Sequence, residues 1–255
     1  MMHIEDLQSV RMLTLDAPRR MNAIPPEGWE ELHSHIAGFE ESSQRVLVIT
    51  GAGGDFCAGA DLTDRRLPSG IAERNQLMRR VGAAASALVK TTKPTIAAVD
   101  GIAVGAGMNL ALACDVVIAT PGVRFSEIFA KRGLTLDFGG TWLLPRLVGL
   151  QRAKELALSG RMVSASEAIA IGLCLELVDP DDLIPRALEI ADGFVSAAPV
   201  PQMFIKQALN RSFEVSLEEA LSFEGQAQAI CHSSDDAREG IRAFREKRPP
   251  EWVGR

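Results

Sequence analysis

Two glycine-rich turns constrain this chain most: ITGAGGDFCAGADL at residues 49–62 and AVDGIAVGAGMNLALACD at residues 98–115. Each leaves a β-branched run and enters a helical pattern. Glycine lets the backbone approach a ligand or another segment closely, and a helix N-terminus carries unpaired N–H groups with partial positive charge. Two such N–H groups converging on one point would make an oxyanion hole. The same glycines also serve tight turns and close packing, and spacing alone favours that ordinary role.

Strand-like runs at 10–15, 45–50, 95–100 and 115–119 alternate with helical patterns, which predicts an α/β fold. The segment PPEGWEELHSHIAGFEES places Trp29, Leu32, Ile36 and Phe39 at three- and four-residue spacing, an amphipathic helix with one buried stripe. Residues 71–90 repeat the pattern with Leu77, Val81, Ala84 and Leu88. Ser164 with Glu167, and Ser216 with Glu219, fit the S-x-x-E capping box, and Gly172 fits a helix stop. Only helices are expected from Pro199 onward, so the chain divides into a core at 1–198 and a helical section at 199–255. The two glycine-rich turns hint at a repeated unit.

Several chemistries are unsupported. The longest uncharged run, between Asp100 and Asp115, falls short of the roughly 20 apolar residues of a membrane helix. The N-terminal stretch carries acids instead of a signal sequence, and Cys57, Cys114, Cys174 and Cys231 form no CxxC pair; both point to a cytoplasmic protein with reduced thiols. A net charge of −6 argues against a nucleic-acid surface. His3, His33, His35 and His232 do not converge on a metal site, and no G-x-S-x-G elbow, phosphate loop or dinucleotide fingerprint is present. No metal, redox cofactor or nucleotide is expected.

Six segments, in order, resemble the enoyl-CoA hydratase/isomerase (crotonase) family: DAPRRMNAI at 16–24, GDFCAGADL at 54–62, AVDGIAVGAGMNLALACDVVIAT at 98–120, GLTLDFGGTWLLPRLVG at 133–149, SGRMVSASEAIAIGLCLELV at 159–178 and FREKRPPEW at 244–252. The resemblance implies a spiral of strand-strand-helix repeats followed by a helical region that trimerises, commonly as a dimer of trimers. It also implies an acyl-CoA thioester whose carbonyl oxygen sits between the N–H groups of Ala60 and Ala106. Backbone groups of Cys57, Gly59, Asp61 and Leu62 would line the adenine, and Arg19, Arg20 and Lys247 would face the phosphates, Lys247 from a neighbouring subunit. Phe244 is balanced between core packing and ligand contact.

The sequence departs from the family's hydratases, which use two glutamates. Counting from Gly107 puts Asn109 at the first position, and counting back from Gly133 puts Phe129 at the second. Neither transfers a proton. Glu127 reads as an exposed acid. Asp137 remains, and GLTLDFGGTWLLPR is similar to the segment of family isomerases, including the ring-epoxide isomerases of phenylacetate catabolism. A single carboxylate is sufficient for a 1,3-proton shift, and Leu134, Leu136, Phe138 and Trp142 would desolvate it and raise its pKa. The competing role is an N-cap for the following helix. The expected activity is isomerisation of an unsaturated acyl-CoA, with hydration of a 2-enoyl-CoA and non-catalytic acyl-CoA binding as alternatives.

Overall fold

The computed structural model describes residues 2–254. Strands β1 (Met2–Leu7), β2 (Val10–Leu15), β3 (Val46–Gly51), β4 (Thr95–Val99), β5 (Ile102–Val104), β6 (Val116–Ala119), β7 (Arg124–Ser126), β8 (Val163–Ser164) and β9 (Glu176–Leu177) make two sheets. The larger runs β1-β2-β3-β4-β6-β9, with only the β1/β2 pair antiparallel; the smaller runs β5-β7-β8. The helices are α1 (Gly28–Glu40), α2 (Ile71–Lys90), α3 (Ala106–Leu112), α4 (Gly140–Val148), α5 (Leu150–Ser159), α6 (Ala165–Ile171), α7 (Leu183–Val195), α8 (Pro199–Arg211), α9 (Leu217–Ser233) and α10 (Asp235–Glu246).

The sequence VLVI at the start of β3 is apolar at every position because both faces are covered. Leu47 and Ile49 turn toward the main core, whereas Val46 and Val48 turn toward a second core beneath α7. That helix presents Leu183, Ala187 and Ala191, four residues apart, to the sheet. On the other side, α1 buries Trp29, Leu32, Ile36 and Phe39, the stripe expected from its spacing. Helix α2 buries Val81, Ala84, Ala85 and Leu88 and leaves Leu77 only partly covered. Ser216 and Glu219 form the full capping box, Ser164 caps α6, and Gly172 ends α6 in the left-handed conformation.

A structural unit recurs. β4 ends at Val99, the chain turns at Asp100 and Gly101, β5 enters the second sheet, and α3 follows. β6, β7 and the short helix Ile128–Arg132 repeat this path. Before them, β3 leads to Cys57, which bridges to Ala103, and then to α2. Stacking these units produces the spiral.

Beyond Pro199, α8, α9 and α10 follow one another. The corner between α8 and α9 is fastened to α4. Trp142 Nε1 and Arg146 Nη2 each donate to Glu214 Oε1 at 3.0 Å, while the Arg146 guanidinium lies 3.7 Å from the Trp142 ring centre. No helix of the described residues is long and apolar enough to cross a membrane.

Candidate active site

The two glycine-rich turns meet. Cys57 N–H donates to Ile102 O at 2.8 Å, and Val104 N–H donates to Cys57 O at 3.0 Å. Approach is close enough that a Cβ on Gly107 would lie 2.1 Å from Cys57 O, and one on Gly59 would lie 2.9 Å from Val104 O and 3.2 Å from Ala106 N. Gly59 also has φ of +83°, a region that side chains disfavour. The glycines therefore serve close packing, and that packing brings Gly59, the residue before Ala60, against Ala106. Ala106 opens α3, so its N–H has no acceptor within the helix. Among the described residues neither it nor Ala60 N–H makes a hydrogen bond to another backbone group. Gly107→Ala should lower the unfolding midpoint in urea by an amount equivalent to about 2–3 kcal/mol, since the added methyl meets backbone and not a movable side chain; an unchanged midpoint would contradict the close approach.

Asp137 lies on the loop before α4. It does not cap that helix: the N-cap is Gly139, with no side-chain hydrogen bond, and the Gly140 N–H donates to the backbone oxygen of Asp137 at 3.0 Å. The carboxylate Oδ1 is buried without a partner. Burial raises the Asp137 pKa to about 6. The expected apolar shell is partly present. Phe138 is buried with its ring centre 5.7 Å from that of Trp29, but Leu134 is exposed.

Glu127 overturns expectation. It is 1% exposed, not a solvated acid. Asn109 Nδ2 donates to Glu127 Oε2 at 3.3 Å and to Asp137 O at 3.0 Å, so one amide joins the two acidic segments. Burial, opposed by the Asn109 hydrogen bond and reinforced by the Asp137 charge, raises the Glu127 pKa to about 8. Its position within FSEIF, an acid among Phe125, Ile128 and Phe129, was the available signal; it shows an apolar setting but not a partner.

A cavity of about 660 Å³ begins at Phe138 and Gly139, next in sequence to Asp137. Its walls include Ala85 and Val89 of α2, Trp142 of α4 and Asn210 of α8.

The enoyl-CoA hydratase/isomerase family model matches residues 5–255. The chain belongs to this family. It is 39% identical to the 1,2-epoxyphenylacetyl-CoA isomerase of Escherichia coli, covering 99% of this chain and 97% of that one. It is 37% identical to a short-chain-enoyl-CoA hydratase of Clostridium acetobutylicum, covering 96% and 94%. The crystal structure of an enoyl-CoA hydratase from Bacillus anthracis superposes with a TM-score of 0.95 at 33% identity, covering 100% and 99%. The fold is the crotonase fold, and the protein is an acyl-CoA enzyme of the enoyl-CoA hydratase/isomerase family.

At the places where family hydratases were expected to hold glutamates, Asn109 is fully buried on α3 and Phe129 is buried, with its ring against the Gly105 turn. The CoA candidates divide. Arg19, Arg20 and Leu62 are exposed beside the first turn. Arg20 is already paired, its Nη1 2.5 Å from Asp61 Oδ2, and this ion pair ties segment 16–24 to segment 54–62. Ile24 reinforces the tie by donating to Gly59 O and accepting from Asp61 N. Hydrogen bonds from Thr63 and Arg20 hold the Asp61 carboxyl below its usual range against the opposing effect of burial. Both backbone groups of Cys57 join the two turns, so Cys57 is a structural tie between them. Phe244 is 85% exposed, which removes the core-packing role considered for it. Phe244 and Lys247, at the end of α10, are both exposed, and α10 packs against α9.

Proposed function

We propose that the protein isomerises an unsaturated acyl-CoA through an enolate, with Asp137 as the proton shuttle. The carrying observation is the Asp137 carboxyl: it is desolvated, leaves one oxygen unpartnered and does not cap its helix. A pKa near 6 leaves it largely ionised at neutral pH while making it a stronger base than an ordinary aspartate. In this reading, Ala60 and Ala106 direct their N–H groups at the thioester oxygen. Asp137 takes the proton beside the thioester, and the C–H electron pair moves into the conjugated system as an enolate. The two N–H groups stabilise the oxyanion. Asp137 then returns the proton two carbons further along, so the double bond moves and composition is unchanged.

The cavity starting at Phe138 supports placing the acyl group between α2, α4 and α8. Arg19, Arg20, Cys57, Gly59, Asp61 and Leu62 remain candidates for the CoA, with Phe244 and Lys247 contributed by a second copy. Apolar side chains exposed along residues 199–255, among them Ile205, Leu209, Phe213, Leu221 and Ile230, support assembly through that section as a trimer or dimer of trimers. Coenzyme A enters as part of the substrate, and this route requires no metal or redox cofactor.

The related E. coli isomerase, by its name, acts on 1,2-epoxyphenylacetyl-CoA, whereas the Clostridium relative is named a hydratase. A panel of 3-enoyl, 2-enoyl and ring-epoxide CoA thioesters separates these outcomes. Isomerisation should exceed water addition. Hydration as the dominant turnover, undiminished in Asp137→Asn, would overturn the proposal.

A further inference from the structure

We propose that Glu127 is a positioning residue for Asp137, acting through the shared Asn109 amide and through its own change of charge. This inference rests on Asp137 being the base. Three polar oxygens, Asn109 Oδ1, Glu127 Oε1 and Asp137 Oδ1, are buried without partners around one bridging amide. A buried carboxylate with one oxygen unpaired and the other accepting a single 3.3 Å bond lacks the support that an anion requires. A neutral Glu127 is the form this enclosure accommodates. Gly140 provides the room: a Cβ there would come within 2.4 Å of Asn109 Nδ2 and 2.7 Å of Asn109 Oδ1.

The surroundings make Glu127 responsive. Asn109 faces it from α3, and the Asp137 charge acts on it from the loop before α4. On its own element Lys131 and Arg132 are exposed. The neighbouring turn presents Gly160, while Arg161 beside it is paired with Glu155 and Glu167. No described cation offsets a charge on Glu127 among the causes acting on it.

Ionised Glu127 would have two effects. It would attract the Asn109 amide more strongly and weaken that amide's hold on the Asp137 carbonyl. It would also place a second negative charge beside a site where enolate charge develops. Turnover should therefore rise as Asp137 loses its proton near pH 6 and fall as Glu127 loses its proton near pH 8. As these groups interact, the two midpoints belong to the pair.

The test is the pH profile of kcat/KM for wild type, Glu127→Gln and Asp137→Asn, with carboxyl titration by 13C NMR in glutamate-labelled protein. Wild type should give a bell, about tenfold below its plateau one pH unit above the alkaline midpoint. Glu127→Gln should lose the alkaline limb and retain the acid limb. One glutamate carboxyl should titrate near pH 8, and Asp137→Asn should move that midpoint lower by removing the neighbouring charge. The NMR measurement needs neither turnover nor a folded Glu127 variant. A bell unchanged in Glu127→Gln, or every glutamate titrating in the usual acidic range, would overturn the inference. Activity retained in Asp137→Asn would instead defeat the assignment of Asp137 as base, whatever the titration shows.

Discussion

Asp137→Asn should lower kcat for isomerisation about a thousandfold, with much smaller effects on KM and on acyl-CoA binding. The substitution preserves shape but removes the ability to accept and return a proton. The site should accommodate it, because Asp137 Oδ1 has no hydrogen-bond partner to lose and the helix-capping position belongs to Gly139.

The same variant should be more stable than wild type at neutral pH. The folded-state pKa of Asp137 is raised from 3.8 to about 6, so the folded state holds the proton more tightly than the unfolded chain. Stability associated with the neutral acid is fully present below the unfolded pKa and is lost as pH rises through the folded pKa. At pH 7 wild type carries the full cost of the buried charge, whereas Asn carries none. A gain of about 1–2 kcal/mol is expected in urea unfolding at pH 7, shrinking toward zero near pH 3. Loss of activity together with this gain identifies a group retained for chemistry at a cost to folding. An N-cap would behave in the opposite way, losing stability without a selective loss of turnover.

Ala106→Pro should reduce kcat by about a hundredfold to a thousandfold. Proline removes the N–H proposed to meet the thioester oxygen and places a ring carbon there instead. Helix α3 should tolerate it, because Ala106 is the first helical residue, where proline sacrifices no intrahelical hydrogen bond. The preceding residue is Gly105, with φ of +57°, and glycine escapes much of the restriction that proline imposes on its predecessor. Circular dichroism and a melt close to wild type would establish that the fold survives. Full activity in a folded Ala106→Pro protein would remove Ala106 from the oxyanion hole.

The fold was legible where local pattern and burial coincide. Trp29, Leu32, Ile36 and Phe39 repeat at helical spacing and all face the core. The apolar run of β3 is long enough to show itself, and its lack of alternation follows from burial on both faces. β1 escaped notice because MHIEDL mixes charges into an edge strand whose order comes from antiparallel pairing with β2. β5, β7, β8 and β9 span only two or three residues each, too short to express a period.

The site followed the same division. Asp137 could be singled out as an acid in an apolar segment, and family resemblance gave it a role. The exclusion of capping required the Gly139 cap and the unpaired oxygen, which are properties of the folded chain. Glu127 was misread because its burial depends on Asn109, 18 positions earlier, and on the Asp137 loop ten positions later. The tie that Cys57 makes between the turns was not legible because its backbone partners, Ile102 and Val104, come from another repeat.

The clasp of Trp142 and Arg146 on Glu214 has a consequence for the order in which the molecule becomes functional. During vectorial synthesis the ribosome releases both glycine turns and Asp137 before α8 and α9 exist, and earlier segments begin folding first. The nascent chain thus acquires the proposed proton-transfer groups while the cavity beside them still lacks the wall supplied by Asn210 and its neighbours. On the proposed assignment, reaction chemistry is encoded early in the polypeptide and substrate fit is completed late. On that assignment, variation in the last helices would retune which acyl groups are admitted without rewriting the atoms proposed to move the proton.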